Sequence, residues 1–98
     1  MTTFTGARTI DGLEVLADGA PLDARTDLKQ FTDRGFEWTY EGVEPAQLAL
    51  AILAHHLGDD QAALVHCDGF MRQIVANLDN DWTLTGQDID DALAKLSG

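Results

Sequence analysis

The chain has 98 residues, 45% of them hydrophobic, and its 17 acidic and 6 basic residues give a net charge of −11. This length and apolar content support one hydrophobic core without disulfides, which excludes a disordered chain and predicts a single domain over residues 1–98. The negative charge excludes direct binding to nucleic acid, because phosphate contacts need clustered lysines and arginines.

Cysteine usage and hydropathy predict a cytoplasmic protein. Cys67 is the single cysteine and cannot form an internal disulfide, and the first residues lack the basic, apolar and small-residue pattern of a signal peptide. The longest nearly continuous apolar run, Leu48 to Ala54, is much shorter than the about 20 residues that cross a bilayer. We therefore expect no association with a membrane.

The first 22 residues are predicted to form a β-hairpin. Strand-favouring residues occupy Thr3–Thr5 and Leu13–Ala17. Asp11-Gly12 and Asp18-Gly19 are turn pairs that accept positive φ angles. One face of the hairpin is expected to be buried and the other partly exposed to water.

An aromatic segment follows. Phe36, Trp38 and Tyr40 alternate with polar residues, a period of two that predicts a third strand or an extended segment lying on the core. Packing against helices is the expected role of these three rings, in preference to a platform for stacking a ligand.

An apolar helix is predicted from Pro45 to Leu57. Proline fits the first turn of a helix, and Gly58 is suited to end it. The residues from Leu48 to Ala54 are apolar around the whole circumference, which is typical of a helix buried on most sides or packed in an oligomer. His55 and His56 fall in the last turn, where the helix dipole favours positive charge.

A second, amphipathic helix is predicted from an Asp59 or Asp60 cap to about Asn77. Gly69 within it costs about 1 kcal/mol relative to alanine, and marks either a close approach between helices or an irregularity.

A third helix should follow a short extended stretch at Trp82 to Leu84. Thr85 is a credible N-cap, Asp88 stands in the capping-box position, and the helix should end near Leu96. The fold class is therefore α+β, with two or three short antiparallel N-terminal strands packed on three α-helices around a central apolar one.

The residue types that carry metal or nucleophilic chemistry are poorly arranged. His55, His56, His66 and Cys67 match no zinc spacing, and adjacent histidines on a helix point about 100° apart. Cys67 falls on the apolar stripe of the second helix, where a thiol is inert. We expect no catalytic residues, no metal ligands and no cofactor.

Glu37 allows two interpretations. Between Phe36 and Trp38 its carboxylate could be partly desolvated and shifted toward general-acid behaviour. Simple strand alternation instead makes it a residue that faces solvent, and this second interpretation is preferred.

The acidity also has two interpretations. Acidic side chains can keep a protein soluble or adapt its surface to high intracellular salt, as in halophiles. They can also imitate a phosphate backbone and occupy the basic groove of a nucleic-acid-binding protein. On the second interpretation, the residues expected to contact a partner are Glu37, Trp38, Tyr40, Glu41, Asp59, Asp60, Asp88, Asp90 and Asp91.

Most of the chain resembles an uncharacterised family of small prokaryotic proteins. The resemblance lies in Gly35-Phe36-Glu37-Trp38-Thr39-Tyr40, in the run from Pro45 to Ala54, in the segment from Asp18 to Arg25, and in Trp82 to Thr85. The family pattern has glycine where this chain has Thr39. The resemblance implies a prokaryotic origin, often on phage, plasmid or other mobile DNA, and brings no activity or functional residues with it.

The leading hypothesis is a non-catalytic interaction protein that binds another protein. A mobile-element inhibitor of host defence, of the anti-CRISPR or anti-restriction type, is the specific form we consider. The alternatives are a small-molecule-binding module, with a pocket beside the aromatic segment and Glu37 or His55 as its polar group, and a halophile-adapted domain. A homo-oligomer in which the apolar helix packs on its own copy is a further possibility.

Overall fold

The computed structural model describes the backbone of residues 2–97 and the side chains of residues 2–96. Four antiparallel strands form one sheet in the order β3-β2-β1-β4, and three α-helices follow or flank them. This architecture confirms the predicted α+β class. The elements are β1 (Thr3–Thr9), β2 (Gly12–Ala17), β3 (Ala20–Pro21), α1 (Val43–Leu57), α2 (Asp60–Gln73), a 3-10 turn (Val75–Asn77), β4 (Trp82–Thr85) and α3 (Gly86–Ser97).

The N-terminal hairpin forms as predicted, and its turns explain its register. Asp18 and Gly19 both have positive φ, 51° and 84°, as a two-residue turn matched to the strand twist requires. At the other turn, Gly12 has φ 119°, and the Thr9 hydroxyl donates to the Gly12 carbonyl at 2.7 Å. These local bonds fix which side chains of β1 and β2 face the core.

The sheet has one covered face. Phe4, Val15, Ala17 and Trp82 are buried on the side that joins the core cluster with the helices. The opposite face carries partly or fully exposed residues such as Thr83. The two-layer arrangement follows from the period-two pattern of the strands, because each buries only alternate side chains.

The aromatic segment is extended chain and contains no strand. Thr39 has φ 80°, a left-handed conformation that breaks the alternation, and its N–H donates to the Val75 carbonyl at 3.2 Å. The three aromatic rings therefore do not share one buried face. Trp38 is 0% exposed, whereas Tyr40 is 43% exposed.

The apolar helix α1 begins two residues before the predicted Pro45 and ends at Leu57 as predicted. Gly58 follows in the left-handed conformation, φ 65°, and its N–H donates to the Ala54 carbonyl. Every residue from 45 to 54 is buried within the single chain. The all-round apolar composition is thus explained by burial within one chain, without a second copy.

Gln47 is the polar residue of that buried stretch, and the sequence analysis did not single it out. Its side-chain oxygen accepts from the Phe31 N–H at 2.8 Å, and its nitrogen donates to the carbonyls of Ala24 at 2.7 Å and Lys29 at 3.1 Å. One buried amide thereby attaches the loop of residues 22–35 to α1. The sequence signal for this contact was a lone glutamine inside an apolar run, because a buried polar side chain needs hydrogen-bond partners.

The second helix is capped as predicted but is shorter. The Asp59 carboxylate accepts from the Ala62 N–H at 3.1 Å, so Asp59 is the N-cap. The α-helix ends at Gln73, and the 3-10 turn Val75–Asn77 occupies the rest of the predicted helix. Gly69 faces Leu96 of α3 at ordinary contact distance.

The third helix has the predicted capping box. The Asp88 N–H donates to the Thr85 hydroxyl at 3.1 Å, and the Thr85 N–H donates to the Asp88 carboxylate at 3.0 Å. Over the described residues, none of the helices has the length and apolar character needed to span a membrane.

Candidate functional site

Arg8 joins three separate segments at one end of the molecule. It lies near the end of β1, on the same face as Phe4, where alternation would bury it. Its guanidinium donates two bonds to the Glu37 carboxylate, at 2.8 and 3.2 Å, one to Asn80 Oδ1 at 3.2 Å and one to the Trp38 carbonyl at 3.3 Å. The hairpin, the aromatic segment and the chain before β4 therefore meet at this side chain.

The ion pair fixes the charge state of Glu37. The hydrogen bonds from Arg8 hold the pKa of the Glu37 carboxyl below its usual value, and this effect exceeds the opposing effect of burial. The same bonds raise the pKa of Arg8. Glu37 is therefore an ionised, bidentate ion-pair partner, and the idea that desolvation makes it a general acid is wrong.

Two buried tryptophan rings lie on the core side of this site. Trp38 lies under the Arg8 guanidinium, with 4.9 Å from Cζ to the ring centroid, and its indole nitrogen donates to the Asn80 carbonyl at 3.2 Å. It meets Trp82 edge to face at 5.7 Å. Trp38 was predicted to contact a partner, but as a fully buried side chain it offers no surface and belongs to the core.

The loop after Trp38 is held at several points. The Tyr40 hydroxyl donates to the Glu44 carboxylate at 2.9 Å, and the ring lies against Gly42, where a Cβ would be 2.8 Å from it. Arg72 of α2 pairs with Glu41 at 3.0 Å. Tyr40 and Glu41 are thus exposed residues in a constrained loop, although Glu41 already has an intramolecular cation.

Three exposed apolar side chains lie near the Arg8–Glu37 pair: Ile10 follows Arg8 by two residues, Leu13 lies opposite it, and Tyr40 interacts electrostatically with both charges. Ile10 is fully exposed at the hairpin tip, and Leu13, Tyr40 and Val43 are 38%, 43% and 50% exposed. Leu13 is the cross-strand partner of Arg8. Among the described residues, the other large exposed hydrophobic side chain is Val65, on α2.

Acidic residues border these apolar side chains. Asp11 and Glu14 lie on the hairpin, and Asp79 and Asp81 lie in the segment that reaches Arg8 through Asn80. All four are exposed, and none is in an ion pair within residues 2–96. Glu14 points to the opposite face of the sheet, since it is the cross-strand partner of Ala7. We call the surface formed by Ile10, Leu13, Tyr40, Asp11, Asp79 and Asp81, around the Arg8–Glu37 pair, the Arg8 face.

The remaining residues predicted to contact a partner lie elsewhere. Asp59 caps α2, and Asp60 pairs with Arg25 at 3.3 Å. On α3, Asp88 belongs to the capping box, Asp90 meets His56 at 2.7 Å and Asp91 accepts from Gln87. The predicted set thus lies on three segments of the chain, and its carboxylates have structural partners within the described residues.

Family comparison covers nearly the whole chain. The model of DUF6166, a family of unknown function, matches residues 4–95. The chain belongs to this family. No curated protein and no solved structure shows a significant match.

The DUF6166 match confirms the resemblance to an uncharacterised family, and the matched range contains the whole Arg8 face. Sequence reasoning found Glu37 and Tyr40 but missed Arg8, Ile10 and Leu13. The available signal for Arg8 was its spacing from Phe4, because i and i+4 share a face of a strand and a charge at such a position needs a partner.

The histidines and the cysteine of this DUF6166 member have other surroundings. Cys67 is buried, and burial raises the pKa of its thiol. His55 packs edge to face against Phe4 at 5.4 Å. In residues 2–97, no three side chains of the metal-binding types converge on one point.

Two shallow grooves lie away from the aromatic segment. One, of about 460 Å³, lies between α2 and α3 and is lined by Gln73, Ile74, Ala92, Lys95 and Leu96. The other, of about 320 Å³, lies beside the loop that Gln47 holds. The space between the aromatic segment and the helices, where a ligand pocket was predicted, holds the Trp38 side chain.

Proposed function

We propose that this protein is a non-catalytic interaction protein that binds another protein through the Arg8 face. The observation that carries the proposal is that exposed Ile10, Leu13 and Tyr40 lie beside one ion pair. Isolated exposed apolar residues are ordinary, but a group of them bordered by polar side chains is typical of an interaction site.

The ion pairs that order the backbone around the Arg8 face support this function. Arg8 fixes the hairpin to the aromatic segment, and Arg72 fixes Glu41 to α2. A surface whose backbone is already ordered loses less conformational entropy when it binds. Tyr40 adds a rigid, amphipathic ring of the kind that contributes strongly to protein interfaces.

The chemistry of the candidate catalytic groups supports a non-catalytic role. Glu37 is held ionised by Arg8, so it lacks the proton of a general acid. Burial raises the pKa of Cys67, which opposes formation of the reactive thiolate.

The specific form we propose is a mobile-element inhibitor of host defence, of the anti-CRISPR or anti-restriction type. Its support is the net charge of −11, together with unpaired acids on the Arg8 face that can imitate phosphates before a basic groove. In this proposal the protein partner is itself a nucleic-acid-binding protein, and the cytoplasm is where the two meet.

Affinity capture with matched variants tests the binding function. The bait is the full chain, compared with Ile10→Ser/Leu13→Ser on the Arg8 face and with Val65→Ser, which changes an exposed valine on α2. We expect a protein captured from the host extract to be lost with the first variant and kept with the second. If every captured protein is kept by both variants, or none is captured, the proposal fails.

The inhibitor function has a separate test. Expression in cells with an active CRISPR or restriction system should raise the plating efficiency of a targeted phage, and the double variant on the Arg8 face should abolish the increase. No increase against either type of system would contradict the inhibitor function while leaving protein binding intact.

The groove between α2 and α3 favours a second candidate, a small-molecule-binding module. Lys95 supplies the one cationic side chain among the groove residues, which suits a small anionic ligand. A thermal-shift screen of anionic metabolites compares wild type with Lys95→Gln. A shift that Lys95→Gln abolishes would favour this candidate, and the absence of any shift would count against it.

A further inference from the structure

The last residues of β1 have a free backbone edge. The Gly86 N–H donates to the Thr2 carbonyl at 2.9 Å, and the Asp18 N–H donates to the Thr3 carbonyl at 2.8 Å. Because backbone groups alternate in direction along a strand, even-numbered residues of β1 point toward β4 and odd-numbered ones toward β2. The N–H and C=O of Arg8 therefore point to the β4 side.

β4 does not reach Arg8. The β1–β4 register begins at Thr3 opposite Thr85 and ends at Gly6 opposite Trp82, whereas β1 continues to Thr9. The chain before Trp82 bends, and it reaches Arg8 through the Asn80 side chain. On this edge the N–H and C=O of Arg8 thus have no strand partner, and natural sheets usually cover or pair such groups.

The side chains beside this edge suit an extended polypeptide. Ile10 lies just beyond its end, fully exposed, and exposed Tyr40 is close enough to Arg8 to interact with its charge. Leu13 is exposed on the same face of the sheet as the Arg8 side chain, one strand further in. Recognition by strand addition combines backbone hydrogen bonds with side-chain contacts of this kind.

Charge decides which polypeptide fits. Asp11 at the hairpin tip and Asp79 and Asp81 beside Asn80 lie near this edge without ion pairs in the described part of the chain, and Glu37 neutralises Arg8. A second copy would bring another chain of charge −11 against these acids, which is unfavourable. A segment with alternating lysine or arginine has the complementary charge.

We infer that the free edge of β1 beside Arg8 accepts an extended, lysine- or arginine-rich segment of a partner protein as an added strand. This inference rests on the proposed protein-binding function and specifies how the partner binds. The partner's backbone pairs with Arg8, its apolar side chains contact Ile10 and Tyr40, and its cations face Asp11, Asp79 and Asp81.

The test is a nuclear magnetic resonance titration of the isotope-labelled full chain with three peptides. The first is acetyl-Lys-Val-Lys-Thr-Lys-Val-amide. The second has glutamate in place of each lysine, and the third is the lysine peptide with alternate backbone nitrogens methylated. Methylation keeps the charge but removes the donors that a strand needs.

We expect the lysine peptide to shift and protect the amide of Arg8, and to bind roughly tenfold more tightly than either control peptide. Raising salt from about 50 to about 500 mM should weaken it. Asp81→Asn should weaken it about threefold, whereas Asp33→Asn, which removes a charge beside the 320 Å³ groove, should not.

Each other outcome overturns strand addition. Equal binding of the methylated peptide would show charge recognition without backbone pairing. No binding by the lysine peptide would contradict both charge recognition and backbone pairing. Protection of Arg8 that rises with protein concentration before any peptide is added would identify a second copy as the occupant. Capture of a partner through the Arg8 face, with any of these results, would leave the proposed function standing.

Discussion

Gln47 shows how much one side chain contributes to the loop that precedes the aromatic segment. Gln47→Met keeps the volume but removes the three hydrogen bonds to Ala24, Lys29 and Phe31. The backbone groups of the loop then lose their partner, so we expect a loss of about 2–4 kcal/mol in the free energy of unfolding. Urea denaturation at neutral pH measures this.

A charged substitution at the same position gives a sharper test. Gln47→Glu places a carboxylate against the carbonyls of Ala24 and Lys29, and burial raises the pKa of that new group above its unfolded value. Its destabilisation should therefore be largest at neutral pH and should diminish as the pH falls through the raised pKa. If both variants unfold like wild type, the amide does not hold the loop.

Glu37 contributes stability through its ionised form. Its folded pKa lies below the unfolded value because of Arg8, so this contribution is complete above the usual carboxyl range and disappears as the pH falls through the lowered pKa. We expect Glu37→Gln to cost about 1 kcal/mol at neutral pH, and to differ less from wild type in acid.

Glu14→Gln is the matched control for Glu37→Gln. Glu14 lies on β2, exposed, and has no ion pair among the described residues. Urea denaturation at several pH values should show almost no change for it. An equal and pH-independent cost at both positions would mean that the Arg8–Glu37 pair adds nothing specific.

Among the elements, the two glycines Gly6 and Gly69 should respond oppositely to alanine. On α2, a Cβ at Gly69 would meet Leu96 at 3.6 Å, so Gly69→Ala should stabilise the protein by about 1 kcal/mol through helix propensity. On β1, a Cβ at Gly6 would lie 2.3 Å from the Trp82 indole, so Gly6→Ala should destabilise it by about 1–3 kcal/mol.

Thermal and urea unfolding of both alanine variants provide the comparison. The sequence left open whether Gly69 marks a close approach between helices or an irregularity, and its contact with α3 answers this. Leu96 packs over it at ordinary distance, which leaves room for a methyl group, whereas Gly6 is required by the tryptophan above it. Destabilisation by Gly69→Ala would show that α2 and α3 cannot tolerate that methyl.

At the scale of the whole molecule, charge repulsion should make stability depend on salt. The net charge is −11, and three of the six basic residues, Arg8, Arg25 and Arg72, are already in ion pairs with carboxylates. Screening of the remaining repulsion should raise the melting temperature between about 10 and 500 mM salt, since the Debye length shortens over that range.

The form of the salt curve separates ordinary solubility from halophile adaptation. Screening alone predicts that the melting temperature levels off once the Debye length is about 3 Å, near 1 M salt. A continued rise at several molar salt would favour the halophile-adapted alternative. A melting temperature independent of salt would contradict both.

Local signals predicted much of the secondary structure. The Asp18-Gly19 turn, the Gly58 helix end and the Thr85–Asp88 capping box follow from residues close in sequence, because each depends on backbone conformation within one turn. The aromatic segment is extended but forms no strand, because its conformation depends on a long-range contact instead. Thr39 departs from the extended conformation to bond Val75, a partner distant in sequence.

The sequence by itself determined the α+β class, the apolar helix and the acidic character, since these depend on composition and short-range periodicity. The tertiary structure alone decided where the surface that we propose for a partner lies. It paired Arg8 with Glu37 across 29 positions, buried Trp38 beneath them and left β1 longer than β4. Such pairings depend on which strands and loops meet in space, and the same packing gave the acids expected to contact a partner intramolecular partners instead.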